Sequence, residues 1–261
     1  MIELKTPQAA DLDDLTLKEL MEAGTELDAC SRALAKGGIN VVGEILRGQG
    51  TFYEMDHYPD GDVYDGDHHS QYYYHAHRDD ADEHGHFHTF LRGAALPDDM
   101  VPATGFQETQ PWPRGEDAVA HLVAVSMDAW GSPIGLFATN RWVTDETWFS
   151  AEDVIRQIGR FQVDHAWPSW AVNLWLSALI RLYRPHIEQL LRHRDAVIAH
   201  RHLEFPETDV LEDRSLEITG QLSIDPDKWQ EELAREWQNR HRAEPDIAGV
   251  SATPRETRLS H

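Results

Sequence analysis

The chain has 261 residues, 41% of them hydrophobic, which is enough to bury a substantial core in one large domain or a domain with appendages. A formal net charge of −23 weighs against a nucleic-acid or anionic-membrane partner, since both require clustered Lys and Arg. The single cysteine, Cys30, excludes an intramolecular disulfide and any thiolate-rich zinc or iron–sulfur site. The opening MIELKTPQAADLDD has no basic n-region followed by an apolar stretch, and no apolar run reaches the roughly 18–20 residues of a membrane span, so a soluble, reducing, cytoplasmic setting is expected.

Leu12, Leu15, Leu17, Leu20, Leu27, Cys30 and Leu34 recur near three-to-four spacing and predict a helix over 11–36, stopped by Gly37-Gly38. A further short helix is expected over 39–46, and residues 1–50 read together as an N-terminal helical segment. Residues 51–58, TFYEMDHY, alternate as a strand. The next segment, 59–70, carries Asp60, Asp62, Asp65 and Asp67 with Gly61 and Gly66. It lacks the glutamate and spacing of a calcium-binding EF-hand loop and reads as a turn, ending at His68 and His69.

The stretch 71–92 organises the rest. His75, His77, His84, His86 and His88 fall within fourteen residues, and each group is spaced by two, the side-chain period of a strand. If 71–77 and 84–91 are the arms of an antiparallel hairpin, pairing His77 with His84 sets His75 opposite His86 and turns all five rings to one face. A slip by two sets His75 opposite His88 and His77 opposite His86, and keeps those four together. His75, His77, His86 and His88 are therefore the predicted metal ligands, with His84 conditional on the register. Tyr73 shares their face as a phenol ligand or proton donor, and Glu83 stands beside them as a carboxylate ligand or general acid/base.

Residues 93–117, rich in Pro, Gly and acidic side chains, read as a long connection. A second hairpin follows, with strands at 121–127 and 133–142 about a turn at 128–132. His121 on its first strand is a further candidate for the site. From Ser150 the period becomes helical. Ser150 to Asp153 resembles a capping box, and Pro168 breaks the chain after Asp164-His165, a pair considered for the site or for a helix-end hydrogen bond. A long apolar helix then starts at Ser169 and continues as a charged helix over 185–202, in which His186, His193 and His200 are spaced by seven and read as a solvated flank. One more strand is expected within 211–224, then a helix over 226–242 opened by Asp225-Pro226 and a disordered tail over 243–261.

The expected fold is α+β: a curved antiparallel sheet of about five or six strands packed against several helices, in a main domain spanning 51–242. His75, His77 and Glu83 have the residue types of the cupin metal motif. The glutamate lies later than that pattern expects, the preceding glycine is missing, and no second motif with Gly, His and Asn follows, so no family is assigned on these residues.

A His-x-His pair on a strand sets two imidazoles roughly 6–7 Å apart at Cβ, able to converge on one ion with a third from the neighbouring strand. The expectation is a transition-metal protein holding iron, zinc or copper. The leading reading is a metal-dependent enzyme acting on a small molecule, either a non-haem oxidoreductase or a zinc-type hydrolase, with Glu83, Tyr73 and His165 as candidate catalytic groups. The alternatives are metal storage, delivery or sensing, and an interaction protein with a structural metal.

Overall fold

The computed structural model describes residues 2–77 and 82–242, so the expected tail over 243–261 lies outside the described residues. Helix α1 (Asp14–Lys36) starts at Asp13, whose carboxylate accepts the Thr16 N–H at 2.7 Å, and ends at Gly37. The short α2 (Val41–Leu46) follows, capped by Asn40. Six strands then form one antiparallel sheet in sequence order: β1 (Tyr58–Tyr64), β2 (Ser70–His75), β3 (Gly85–Arg92), β4 (Val119–Met127), β5 (Pro133–Thr139) and β6 (Ile218–Ser223). The sheet is curved and does not close. Between β5 and β6 the chain forms α3 (Arg141–Thr144), α4 (Ala151–Gln157), α5 (Trp170–Leu182) and α6 (Arg184–Glu204), and it finishes with α7 (Pro226–Arg240). The fold is α+β, as expected. At the start of α4 the Ser150 hydroxyl accepts the Asp153 N–H at 3.2 Å, the capping arrangement read from the sequence.

Cross-strand pairing divides the sheet into two unlike faces. Tyr72, Tyr74, Phe87, Leu91, Val123, Val125 and Leu136 point into the main core, where they join Leu17, Leu20 and Leu27 of α1 and Val172, Trp175 and Leu179 of α5. Leu233 and Trp229 of α7 belong to the same cluster, so the N-terminal helix, the sheet and the last helix share one apolar interior. Polar contacts reinforce the docking of α1: Arg181 pairs with Glu26 at 2.6 Å, and the Trp175 indole donates to Ser31 Oγ at 3.1 Å. The other face carries the histidines.

One strand lies where a turn was expected. Residues 51–57 are irregular, and the first strand is Tyr58–Tyr64, within the Asp/Gly-rich segment. Its pairing with β2 is interrupted between Tyr58 and Val63, where Gly61 and Asp62 take positive φ values of 82° and 59°. A bulged edge strand that buries Tyr58 and Val63 while leaving Asp60 exposed and Asp62 half-buried has the composition of a turn.

Candidate metal centre on the histidine face

β2 and β3 pair with His75 opposite His86 and Tyr73 opposite His88, the register in which the two rows share a face. One nitrogen each from His75, His77 and His86 forms a group whose members all lie within 4.8 Å of one another. The rings of His75 and His86 meet edge-on with centroids 4.5 Å apart, and His77 stands 4.9 Å from His75 and 5.2 Å from His86. His75 is 7% exposed, and both its ring nitrogens are buried without a hydrogen-bond partner. Burial, with His86, His77 and His57 adjacent, pushes its pKa down to about 2, so the ring is neutral at pH 7, the form that ligates metals.

Glu83 lies just ahead of β3, and its Oε1 is 2.7 Å from His86 Nδ1. A carboxylate on one ring nitrogen fixes the tautomer and turns the other nitrogen, Nε2, toward an ion. Glu83 thus holds the His86 ring by its Nδ1. His88 lies outside the three-nitrogen group. Its Nδ1 is 2.9 Å from His121 Nε2, and its Nε2 is buried without a partner. His121 in turn stands 3.4 Å from Thr139 Oγ1, while its backbone N–H donates to the fully buried Glu146 at 2.9 Å. Burial holds the His88 pKa well below its usual value and, with Arg194 nearby, lowers that of His121 to about 3. Desolvation raises the Glu146 pKa to about 7 against the pull of Arg194 and Arg141.

Tyr73 stands on the histidine face, packed against His75 and His88 with ring centroids 5.2 Å away in each case. Burial, with Asp62 nearby, pushes its phenol pKa upward and keeps it protonated. The ring of His57 stacks flat on it, with centroids 3.6 Å apart and planes 8° from parallel, and meets His75 edge-on at 5.5 Å. His57 Nδ1 is 2.9 Å from Asp62 Oδ1, and the second oxygen of that carboxylate accepts from Gln71 at 2.7 Å. His57, Asp62 and Glu146 escape sequence reasoning. The alternation of 51–58 hints at an ordered His57, but nothing in the sequence says that the chain folds it onto Tyr73.

His84 turns away from this face. β3 begins only at Gly85, and strand alternation does not extend to the residue before it. The His84 N–H donates to Met127 O, and its ring lies on the core side, with Nδ1 2.7 Å from the Tyr74 hydroxyl. His165 sits in the loop before α5, where its carbonyl accepts from Asn173 at 2.8 Å. Among the described residues none of its contacts reaches the histidine face. Its neighbour Asp164 belongs to a second cluster with Asp65 and His68, again within 4.8 Å. There the Asp65 carboxylate already accepts the N–H groups of Asp67, His68 and Asp164, which ties the β1–β2 turn to the loop before α5. His186 is buried beside Trp229, with ring centroids 4.8 Å apart, so the expected solvated stripe is partly interior.

Fold and site define an α+β protein with histidine clusters able to bind a metal ion. A family model described as a domain of unknown function, DUF6969, matches residues 21–224, and the chain belongs to that family. No curated protein and no solved structure matches the chain. Among the described residues no helix is long and apolar enough to cross a membrane.

Proposed function

We propose that the chain is a metal-dependent enzyme whose ion is held by His75, His77 and His86. The observation that carries the reading is His75: a buried ring with both nitrogens unpartnered, inside a group of three imidazoles within 4.8 Å. Leaving buried polar atoms unsatisfied costs about 1–3 kcal/mol each, and a bound ion removes that cost at one of them. An all-imidazole set without thiolates suits zinc, copper(II) or ferrous iron. Three protein ligands leave a coordination position for water or substrate, the arrangement of catalytic rather than structural sites. The metal would supply Lewis acidity or redox chemistry there.

Within this reading Glu83 orients His86. Tyr73 offers a protonated phenol beside His75, and His57, fixed by Asp62, stands on the solvent side of the same ring. His88, bonded to His121, supports the ligands from behind. A small-molecule substrate is the expected partner. The surplus imidazoles of His57, His88 and His121 favour metal storage, delivery or sensing as the second reading, because they would let the face take more than one ion. Loading the protein with copper(II) and adding azide separates the two. An open position gives a shift in the visible spectrum at one ion per chain. A spectrum indifferent to azide, or loading with several ions, would support storage instead.

A further inference from the structure

A cleft of about 530 Å³ lies apart from the histidines, between the later half of α1, the β4–β5 turn and the start of α7. None of its lining comes from β1, β2 or β3, or from the residues that join them. From the cleft, α7 runs 15 residues, roughly 22 Å, to Arg240, which bonds Leu12 and Asp14 at the other end of α1. The walls are apolar and include Leu27, Leu34, Ile39, Ile134, Trp175 and Ile224. Such a size and such walls are those of a small-molecule site. Polar donors on the inner wall are spent. The Trp175 indole donates to Ser31 Oγ at 3.1 Å, the Ser31 hydroxyl to Leu27 O at 3.0 Å, and the Asn40 amide to Trp130 O at 2.8 Å. Acceptors are left over. Asp28 uses only Oδ1, for Gln230, and the exposed Asp227 carboxylate has no hydrogen bond or ion pair among the described residues. Asp225 is already engaged, accepting the Lys228 N–H and pairing with its Nζ at 2.7 Å.

We propose that this cleft binds an organic amine in its ammonium form, with an apolar ring or branched chain as its body. An ammonium has three donors and no acceptor, the complement of two carboxylates with oxygens to spare. A carboxylate ligand would meet Asp28 and Asp227 and no compensating charge, because no Lys, Arg or His is among the described residues that line the cleft. An alcohol would keep the apolar contacts but exchange a charge-assisted hydrogen bond for a neutral one, roughly half as strong. Trp130, 82% exposed at the rim, adds an indole face on which a cation can rest. Its backbone is fixed by the turn, where Asp128 Oδ1 accepts the Trp130 N–H at 2.9 Å. None of His75, His77 and His86 lines the cleft, so amine binding there is independent of the metal.

The test is saturation-transfer NMR on full-length protein with three probes of one shape: phenethylamine, 2-phenylethanol and 3-phenylpropionate. Phenethylamine is expected to receive the most saturation and 3-phenylpropionate the least. Asp28→Asn/Asp227→Asn should weaken the amine about tenfold, to the level of the alcohol, and leave the alcohol as it was. Ala35→Trp fills the cleft from an exposed position on α1 and should abolish transfer to the amine with the circular dichroism unchanged. The His75→Ala/His86→Ala variant should bind the amine as the wild type does. Transfer to the amine no greater than to the alcohol or the carboxylate would overturn the inference, as would undiminished transfer in Ala35→Trp. Loss of transfer in the histidine variant would overturn it too, since the amine would then be a ligand of the metal.

Discussion

His75 is the residue on which the site turns, because it combines burial, neutrality and two unsatisfied nitrogens. Its partner His86 depends on Glu83, and outer-shell carboxylates of this kind typically contribute about 10–100-fold to metal affinity. Glu83→Gln keeps a hydrogen-bond acceptor but removes the charge. It should weaken metal binding about tenfold in a chelator competition while leaving the circular dichroism unchanged; an unaltered affinity would show that Glu83 does not act through His86. At this scale the sequence was informative where strand period applied. His75, His77 and His86 follow from spacing by two and a hairpin register. His84 does not, because its position one residue before the strand frees its ring to reach Tyr74. His57 does not either, because what brings it to Tyr73 is a bulged, aspartate-rich strand that looks like a turn.

At the level of elements, the hairpin of β2 and β3 makes a close approach at Gly85. A Cβ there would lie 2.6 Å from the His75 carbonyl oxygen and 2.6 Å from the Tyr74 hydroxyl. The first of these is backbone and cannot swing aside. Gly85→Ala should therefore destabilise the protein by about 1–3 kcal/mol in urea unfolding and reduce metal affinity as His75 shifts against His86. Wild-type stability with wild-type metal binding would contradict the proposed packing. Most helices and five of the strands are legible from period, caps and breakers: Ser150 and Asp225 cap where expected, whereas Asp13, the cap of α1, lies inside the range expected to be helical. Which helix faces which side of the sheet is not legible, since it depends on contacts such as Trp175 to Ser31, 144 residues apart.

For the whole molecule, neutral buried histidines set the response to acid. The pKa values of His121 and His186 fall from 6.5 to about 3 and about 4 on folding. Below pH 6.5 the unfolded chain binds protons that the folded chain refuses, so this contribution to stability is lost as pH falls toward 4. Glu146 acts oppositely: its folded value, raised from 4.5 to about 7, favours the folded state at low pH, and that gain is lost as pH rises from 4.5 to 7. Two histidines outweigh one glutamate, so metal-free protein should be less stable at pH 5 than at pH 7, by on the order of 2 kcal/mol in urea unfolding. Equal or greater stability at pH 5 would mean that these rings are not neutral and buried. The central claim meets its most direct test in elemental analysis of full-length protein prepared without an affinity tag, beside the His75→Ala/His86→Ala double variant. The account predicts one stoichiometric transition metal in the wild type and its loss in a variant that remains folded. The same metal at the same stoichiometry in both would contradict it.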